Sequence, residues 1–141
     1  LDALNYLDNL EKFSGELAEL LNNGSKVFIV MLNKICLLES SLYFIKLKPL
    51  VAFKKFFNRG GSLEPELNLY FPRRVKKIFS LNYKTKSITA FGLLIPTDNF
   101  LGIYYKLQRL FNWLEKLEKF FAVKYPFYNF SDHYVIELEK I

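Results

Sequence analysis

The chain has 141 residues and a mass of 16.7 kDa, the size of one domain that is long enough to bury a core. Hydrophobic residues make up 51% of the sequence and charged residues 24%, which excludes an intrinsically disordered protein. Aromatic residues are unusually frequent at 18%, and the formal net charge of +6 indicates an anionic partner without naming its class.

The first predicted element is a helix over residues 1–22. Apolar side chains recur there three and four residues apart, which places them on one helix face. The Asn23-Gly24 pair that follows is a typical helix stop. The members of the apolar face are Ala3, Tyr6, Leu10, Phe13, Leu17 and Leu20.

A second helix is predicted over residues 28–45, before Pro49. Because apolar residues also occupy its other faces, we expect this helix to be central in the fold or covered by a partner. The residues with helical spacing are Phe28, Met31, Ile35, Leu38, Leu42 and Ile45.

Between residues 62 and 96 the spacing of the apolar residues changes from three and four residues to two. Polar and apolar residues alternate over residues 74–83, which predicts a half-buried strand, and residues 88–95 form a second, more apolar strand. Residues 84–87 would join the two strands as a β-hairpin. A short strand over residues 66–71, ended by Pro72, precedes them.

The helical spacing returns in the last third of the chain. It predicts a third helix over residues 100–121, with plausible N-caps at residues 97–99 and Pro126 beyond its end. Residues 133–139 form a possible last strand. The third helix carries its apolar residues at Phe100, Ile103, Leu107, Leu110, Leu114, Leu117 and Phe121.

These elements predict an α+β fold: a helix-rich single domain with two long N-terminal helices, a central antiparallel β-hairpin or small sheet, and one long C-terminal helix. The domain covers residues 1–141. Residues 1–58 are its helical part, residues 62–96 its basic β-hairpin part, and residues 97–141 its helix and terminal strand.

The positive charge is concentrated in the middle of the chain. Residues 46–109 contain thirteen Lys and Arg and three acids, a net charge of +10, whereas residues 1–45 and 110–141 carry −3 and −1. Cations neutralise phosphates and aromatic rings stack on exposed bases, so this segment is suited to nucleic acid. An anionic membrane surface, an acidic protein, or no anionic ligand at all are the alternatives.

The leading hypothesis is therefore a non-enzymatic basic subunit of a nucleoprotein assembly, similar in character to a small ribosomal or viral protein. It would bind the backbone of RNA or DNA through the central hairpin. The expected nucleic-acid-binding residues are Arg59, Arg73, Arg74, Lys76, Lys77, Tyr83, Lys84 and Lys86.

One alternative is a protein-interaction subunit of an oligomeric or membrane-associated complex, because apolar helices that lack a cover mark interfaces. Its partners would be other protein chains, further copies of this chain, or a membrane surface contacted peripherally. The expected helix interface comprises Phe28, Met31, Phe44, Phe111 and Trp113.

The second alternative is a nuclease or other hydrolase. Glu137 and Glu139 are two residues apart on the possible last strand and would face one side, as paired carboxylates do in such sites. A solvent-exposed strand face is the other interpretation of the pair. His133 and Cys36 are the only residues of their types, too few for a usual zinc site. We expect no cofactor, and no small-molecule substrate is evident.

Cysteine usage bears on the cellular setting. Cys36 is the only cysteine, which excludes an intrachain disulfide, and its apolar neighbours predict a buried, unreactive thiol. The sequence does not open on a signal-peptide pattern, so we expect an intracellular protein of unknown compartment. The excess of Phe, Tyr, Lys, Asn and Leu is typical of an AT-rich genome, such as that of an organelle, a virus or a reduced bacterium.

Overall fold

A computed structural model of the chain describes residues 3–38, 40–41, 49–50, 67–95 and 107–141. It confirms the α+β class. Three strands are β1 (Lys26–Leu32), β2 (Tyr83–Phe91) and β3 (His133–Lys140). Three α-helices have both ends defined, α1 (Leu10–Leu20), α2 (Pro72–Phe79) and α3 (Gln108–Phe121), and short 3-10 turns occupy Ala3–Tyr6 and Phe127–Asn129.

The three strands form one antiparallel sheet in the order β1-β3-β2. The last strand of the chain is therefore the central strand. Ile136 of β3 pairs with Ile29 on one side and with Ile88 on the other, which aligns the faces of all three strands. Since side chains alternate along a strand, this register decides which residues enter the core.

The core lies on one face of the sheet, beneath α1 and α2. Tyr134, Ile136 and Leu138 of β3 are completely buried there. Leu10 of α1 and Val75 of α2 pack against them and are also fully buried. The opposite face of β3 carries residues 135, 137 and 139, which are only half-buried.

Both ends of α1 have side-chain caps. The Asn9 side chain accepts a hydrogen bond of 2.8 Å from the backbone N–H of Lys12, a usual N-cap. At the other end, the Lys140 ammonium donates to the carbonyls of Ala18 and Leu21 at 2.5 and 2.6 Å. A cation at a helix C-terminus satisfies free carbonyls and offsets the helix dipole, so these contacts tie α1 to the end of β3.

The prediction of a helix from residue 28 is wrong for its first part, because residues 26–32 form strand β1. Helical geometry is found at residues 37, 38, 40 and 41, and residues 42–48 lie outside the described part. A short apolar run fits a buried strand as well as a buried helix, and its β-branched Val27, Ile29 and Val30 favour a strand.

The predicted hairpin over residues 74–95 is also wrong, although residues 88–91 of its second strand do belong to β2. Its first strand is helix α2, which begins with Pro72 in its first turn and buries Val75 and Phe79, four residues apart. Residues 84–87 are no turn but lie within β2, where a bulge between Thr85 and Ser87 shifts the register. Strand β2 pairs with β3 rather than with a hairpin partner.

The other predicted elements have mixed outcomes. The helix predicted over residues 1–22 is confirmed only at Leu10–Leu20, since Ala3–Tyr6 forms a separate 3-10 helix. The third helix is confirmed over Gln108–Phe121 and the last strand over His133–Lys140. The short strand over residues 66–71 is reduced to one parallel bridge between Tyr70 and Asn33. The predicted helical part, residues 1–58, contains strand β1 as well as helices in its described residues. The predicted hairpin part, residues 62–96, contains helix α2 and strand β2. The single domain over 1–141 stays a prediction.

A carboxylate attaches α3 to the end of β2. Glu118 accepts hydrogen bonds from the backbone N–H groups of four consecutive residues, at distances of 2.8 Å (Gly92), 3.4 Å (Leu93), 3.1 Å (Leu94) and 2.8 Å (Ile95). Gly92 itself has a φ of 68°, the left-handed conformation that favours glycine, so the chain can leave the strand there. The carboxylate thus replaces the partners that the sheet no longer supplies.

We expect Glu118→Ala to lower the free energy of unfolding by about 2–4 kcal/mol, because four partly buried N–H groups lose a charged acceptor. Glu115→Ala is the matched control on the same helix, since Glu115 forms only an exposed pair with Lys119. Urea unfolding followed by circular dichroism measures both. Equal midpoints for the two variants would contradict this role of Glu118.

Candidate nucleic-acid interface

Helix α2 presents a cationic outer face. Its buried residues, Pro72, Val75 and Phe79, are spaced three and four apart and form one stripe against the sheet. Ile78 is half-buried beside this stripe, and the opposite side of the helix faces away from the sheet. All four cations of the helix are exposed there, and we call them the cationic helix face: Arg73, Arg74, Lys76 and Lys77.

The charge of this face is not neutralised locally. Residues 67–95 contain six cations and no acid, and no carboxylate of the described residues pairs with the four cations of the face. Arg73 and Arg74 also stand in the first turn, where the helix dipole is positive and an anion would be preferred. An anionic ligand would therefore relieve an unfavourable arrangement at the start of α2.

A groove runs beside the cationic helix face. It has a volume of about 500 Å³. Arg73, Arg74 and Lys77 form one wall, and the segment that follows α3 forms the other. We call it the aromatic groove, because three of its other lining residues, Phe71, Tyr125 and Phe130, are aromatic. Ile35 and Asn129 complete the lining.

Hydrogen bonds connect the segments around the groove to the rest of the fold. The N–H of Leu37 donates to the carbonyl of Phe130 at 2.9 Å, and the Asn33 amide donates to the carbonyl of Tyr128 at 2.9 Å. The phenol of Tyr134, whose pKa is raised by burial, donates to the carbonyl of Tyr70 at 3.0 Å. These bonds hold residues 70–71 and 128–130 in place relative to the sheet.

Two cations, one of them Arg74 of the groove itself, lie against aromatic rings here. The Lys34 ammonium is 5.9 Å from the centroid of Phe71, and the Arg74 guanidinium is 5.1 Å from the centroid of Tyr70. Both distances are within the range of cation–π contacts. Rings and cations are therefore interleaved along this surface.

The predicted basic residues do not form one patch. Lys84 pairs in register with Glu139 and so points to the sheet face opposite α2, and the Lys86 ammonium is 2.8 Å from the Glu139 carboxylate. The structure therefore separates these two lysines from the cationic helix face, with Lys86 already neutralised. Arg59 lies outside the described residues.

The prediction of Tyr83 as a stacking residue is wrong. Only 2% of its surface is exposed, and its ring packs against Phe79 with the centroids 5.6 Å apart. Burial raises the pKa of its phenol, and the hydroxyl has no hydrogen-bond partner in the described part of the chain. Tyr83 is a core residue because it begins β2 on the face that α2 covers.

The predicted helix interface is also divided. Met31 is completely buried on β1, where the Tyr134 hydroxyl approaches its sulfur at 3.7 Å, and Phe111 is 8% exposed, so neither is available to a partner. Phe28 and Trp113 are 63% and 57% exposed. Phe28 lies on a strand rather than a helix, and Phe44 is outside the described residues.

Glu137 and Glu139 do share the sheet face opposite the core, but lysines occupy both. The Lys26 ammonium is 3.1 Å from the Glu137 carboxylate, which also accepts a hydrogen bond of 3.0 Å from the Ser87 hydroxyl. Within the described ranges, no three His, Cys, Asp or Glu residues stand together as metal ligands would. This geometry favours a charged sheet surface over a hydrolytic pair. Cys36 is buried, as predicted.

Sequence reasoning missed the second wall of the groove. Tyr125, Asn129 and Phe130 belong to no nucleic-acid-binding motif, and some fifty residues separate them from α2. Only the pairing of β3 between the other strands brings them beside Phe71. The run Tyr70-Phe71-Pro72-Arg73-Arg74 was the one available signal, since it joins rings and cations at a helix start.

Comparison with known proteins gives no independent indication of function: neither the protein-family models nor the curated proteins contain a match to this chain. Within the described residues, no helix is both long and apolar enough to cross a bilayer. The functional argument therefore starts from the surface described above.

We expect Tyr83→Phe to leave stability unchanged or raise it by about 1 kcal/mol, because it removes a buried hydroxyl without a partner. Tyr134→Phe is the matched variant, and we expect it to destabilise by about 1 kcal/mol, since that hydroxyl has a carbonyl acceptor. Thermal and urea unfolding compare the two. A larger loss of stability for Tyr83→Phe than for Tyr134→Phe would contradict the interpretation that the Tyr83 hydroxyl lacks a hydrogen-bond partner.

We expect an ordinary pH titration to reveal the pairing of Glu137. Its pKa is held below the usual 4.5, first by the hydrogen bond from Lys26 and then by that from Ser87. The pair therefore stabilises the fold above pH 4.5 and loses this effect as the pH falls through the lowered pKa. Lys26→Met should raise the pKa of Glu137, measured by carboxyl NMR. An unchanged pKa would contradict the pairing.

Proposed function

We propose that this chain is a non-enzymatic subunit of a nucleoprotein assembly that binds the phosphate backbone of RNA or DNA through the cationic helix face. The observation that carries the proposal is the exposure of Arg73, Arg74, Lys76 and Lys77 on one short helix without a carboxylate partner among the described residues. Unpaired cations of this density attract polyanions and release counterions when they bind them.

The proposed binding surface is smaller than the one expected from the sequence, because it includes α2 and leaves out the lysines of β2. On β2, Lys84 stands opposite Glu139 and Lys86 forms an ion pair with the same carboxylate, whereas α2 packs on the other face of the sheet. The contacts to the phosphate backbone of the nucleic acid therefore come from α2. Lys84 and Lys86 contribute to binding only through the overall charge of the protein. A nucleoprotein subunit acts where nucleic acid is present, so the proposal implies an intracellular or viral setting.

The test measures binding to short labelled oligonucleotides by fluorescence anisotropy as KCl rises from about 50 to 200 mM. If the four cations each contact a phosphate, the slope of log K against log salt is about −3.6 on duplex and about −2.8 on single strands. RNA and DNA of the same sequence are compared. A salt-independent signal, or no binding at the lowest salt, would overturn the proposal.

We expect the double variant Arg73→Gln/Lys77→Gln to reduce the magnitude of the duplex slope by about 1.8, because two phosphate contacts are lost. The matched control is Lys84→Gln/Lys86→Gln, which removes the same charge from the sheet. Both pairs are solvent-facing, so circular dichroism should show an unchanged fold. If the control variant changed the salt slope as much as the α2 variant does, the assignment of the phosphate contacts to α2 would be contradicted.

A protein partner is the second candidate, favoured by the exposed apolar side of α3. Leu110, Trp113 and Phe120 are 47%, 57% and 55% exposed on this helix. Exposed apolar residues at neighbouring helix positions mark interaction surfaces. Sedimentation of the wild type and of Trp113→Ser tests it: a concentration-dependent oligomer that the substitution dissociates supports this surface, and a monomer at all concentrations counts against self-association.

A further inference from the structure

We propose that the aromatic groove receives an unpaired nucleobase, so that the chain prefers single-stranded over double-stranded nucleic acid. This inference rests on the proposed function and names its substrate class. The groove was defined above by the cations of α2 on one wall and the segment after α3 on the other, with Phe71 and Ile35 also among its lining residues.

The size and shape of the groove suit a base. Its volume of about 500 Å³ lies within the range of small-molecule sites and exceeds what one planar ring system needs. A base can enter it only when it is neither paired nor stacked within a duplex. The groove thus distinguishes the two forms of nucleic acid by geometry before any sequence preference arises.

The chemistry of the lining suits a nucleotide rather than a purely apolar ligand. Tyr125 is 71% exposed and so offers its ring to a ligand, while Phe71 and Phe130 supply apolar surface. Arg73, Arg74 and Lys77 line the same groove and are positioned for the phosphate that every nucleotide carries. Aromatic rings beside a row of cations are the usual arrangement of single-strand binding surfaces.

The positive charge of the groove disfavours a purely apolar occupant. An apolar helix of a partner would bury the guanidinium groups of Arg73 and Arg74 without a counter-charge, which is unfavourable. Asn129 adds an amide that both donates and accepts, which matches the edge of an unpaired base. A nucleotide satisfies the rings, the cations and the amide together.

The groove is also held in shape before a ligand arrives. The bonds from Leu37 to Phe130 and from Tyr134 to Tyr70 fix its walls to the sheet. A ligand therefore does not have to order these segments, which favours binding. The exposed ring of Tyr125 lies against Tyr128, with the centroids 6.0 Å apart.

The experiment compares wild type, Tyr125→Leu and Tyr125→Phe on a single-stranded oligonucleotide and on the corresponding duplex. We expect Tyr125→Leu to weaken single-strand binding about 5- to 100-fold, with the salt slope unchanged, because a stacking contact and no phosphate contact is lost. Duplex binding should stay the same. Tyr125→Phe keeps the ring and should bind like wild type.

Phe28→Leu is the control for ring removal as such, because Phe28 is a highly exposed ring on the sheet face opposite α2. We expect it to bind single strands like wild type. A measurement on wild type alone accompanies the variants: photo-crosslinking of a strand that contains 4-thiouracil, mapped by mass spectrometry. Crosslinks should fall on residue 71 or on residues 125–130.

The outcomes separate this inference from the proposed function. Equal affinity for single strand and duplex, with a steep salt slope for both, would overturn the inference and leave backbone binding by α2 intact. Crosslinks confined to other segments would overturn it in the same way. Absence of binding to either form at low salt would overturn the proposed function, and this inference with it.

Discussion

The central position of β3 is the constraint on which the rest of the structure depends. This strand is the last in the chain and pairs with both β1 and β2. The side chains of paired residues lie on the same face of the sheet, so β3 determines which residues of β1 and β2 face the core. Tyr134, Ile136 and Leu138 make the core face of β3 wholly apolar. The helices α1 and α2 must cover that face, and Lys26, Lys84, Glu137 and Glu139 are consequently placed together on the other.

The same constraint sorts the positive charge of the chain. On the outer face of β3, Glu137 forms an ion pair with Lys26 of β1, and Glu139 forms one with Lys86 of β2. Helix α2 packs on the core face and meets no carboxylate among the described residues, so its four cations keep their full charge. The turn that precedes β3 also lies beside α2, since Asn129 and Phe130 line one groove together with the cations of that helix. The cationic helix face and the aromatic groove are therefore both consequences of the position of β3.

Long periodic segments were predictable and short ones were not. Helices α1 and α3 repeat their apolar spacing over several turns, and β3 alternates over its whole length, so each pattern has one interpretation. The run from Val27 to Leu32 is too short for its period to be read, and in residues 72–79 a helical stripe coincides with a two-residue alternation around Val75. The cations of the candidate site were predicted from composition. The burial of Tyr83 and the approach of Tyr125 to Arg73 were not, because both depend on strand pairing across long stretches of chain.

The sequence by itself determined the α+β class, the apolar faces of the long helices and the concentration of cations between residues 46 and 109. These properties depend on residue type and local spacing alone. Only the tertiary structure decided which cations are neutralised, which aromatic rings are exposed and which segments line the aromatic groove. Those outcomes depend on the register of β3 between β1 and β2, which brings together residues as far apart as Lys26 and Glu137, and no local pattern encodes that register.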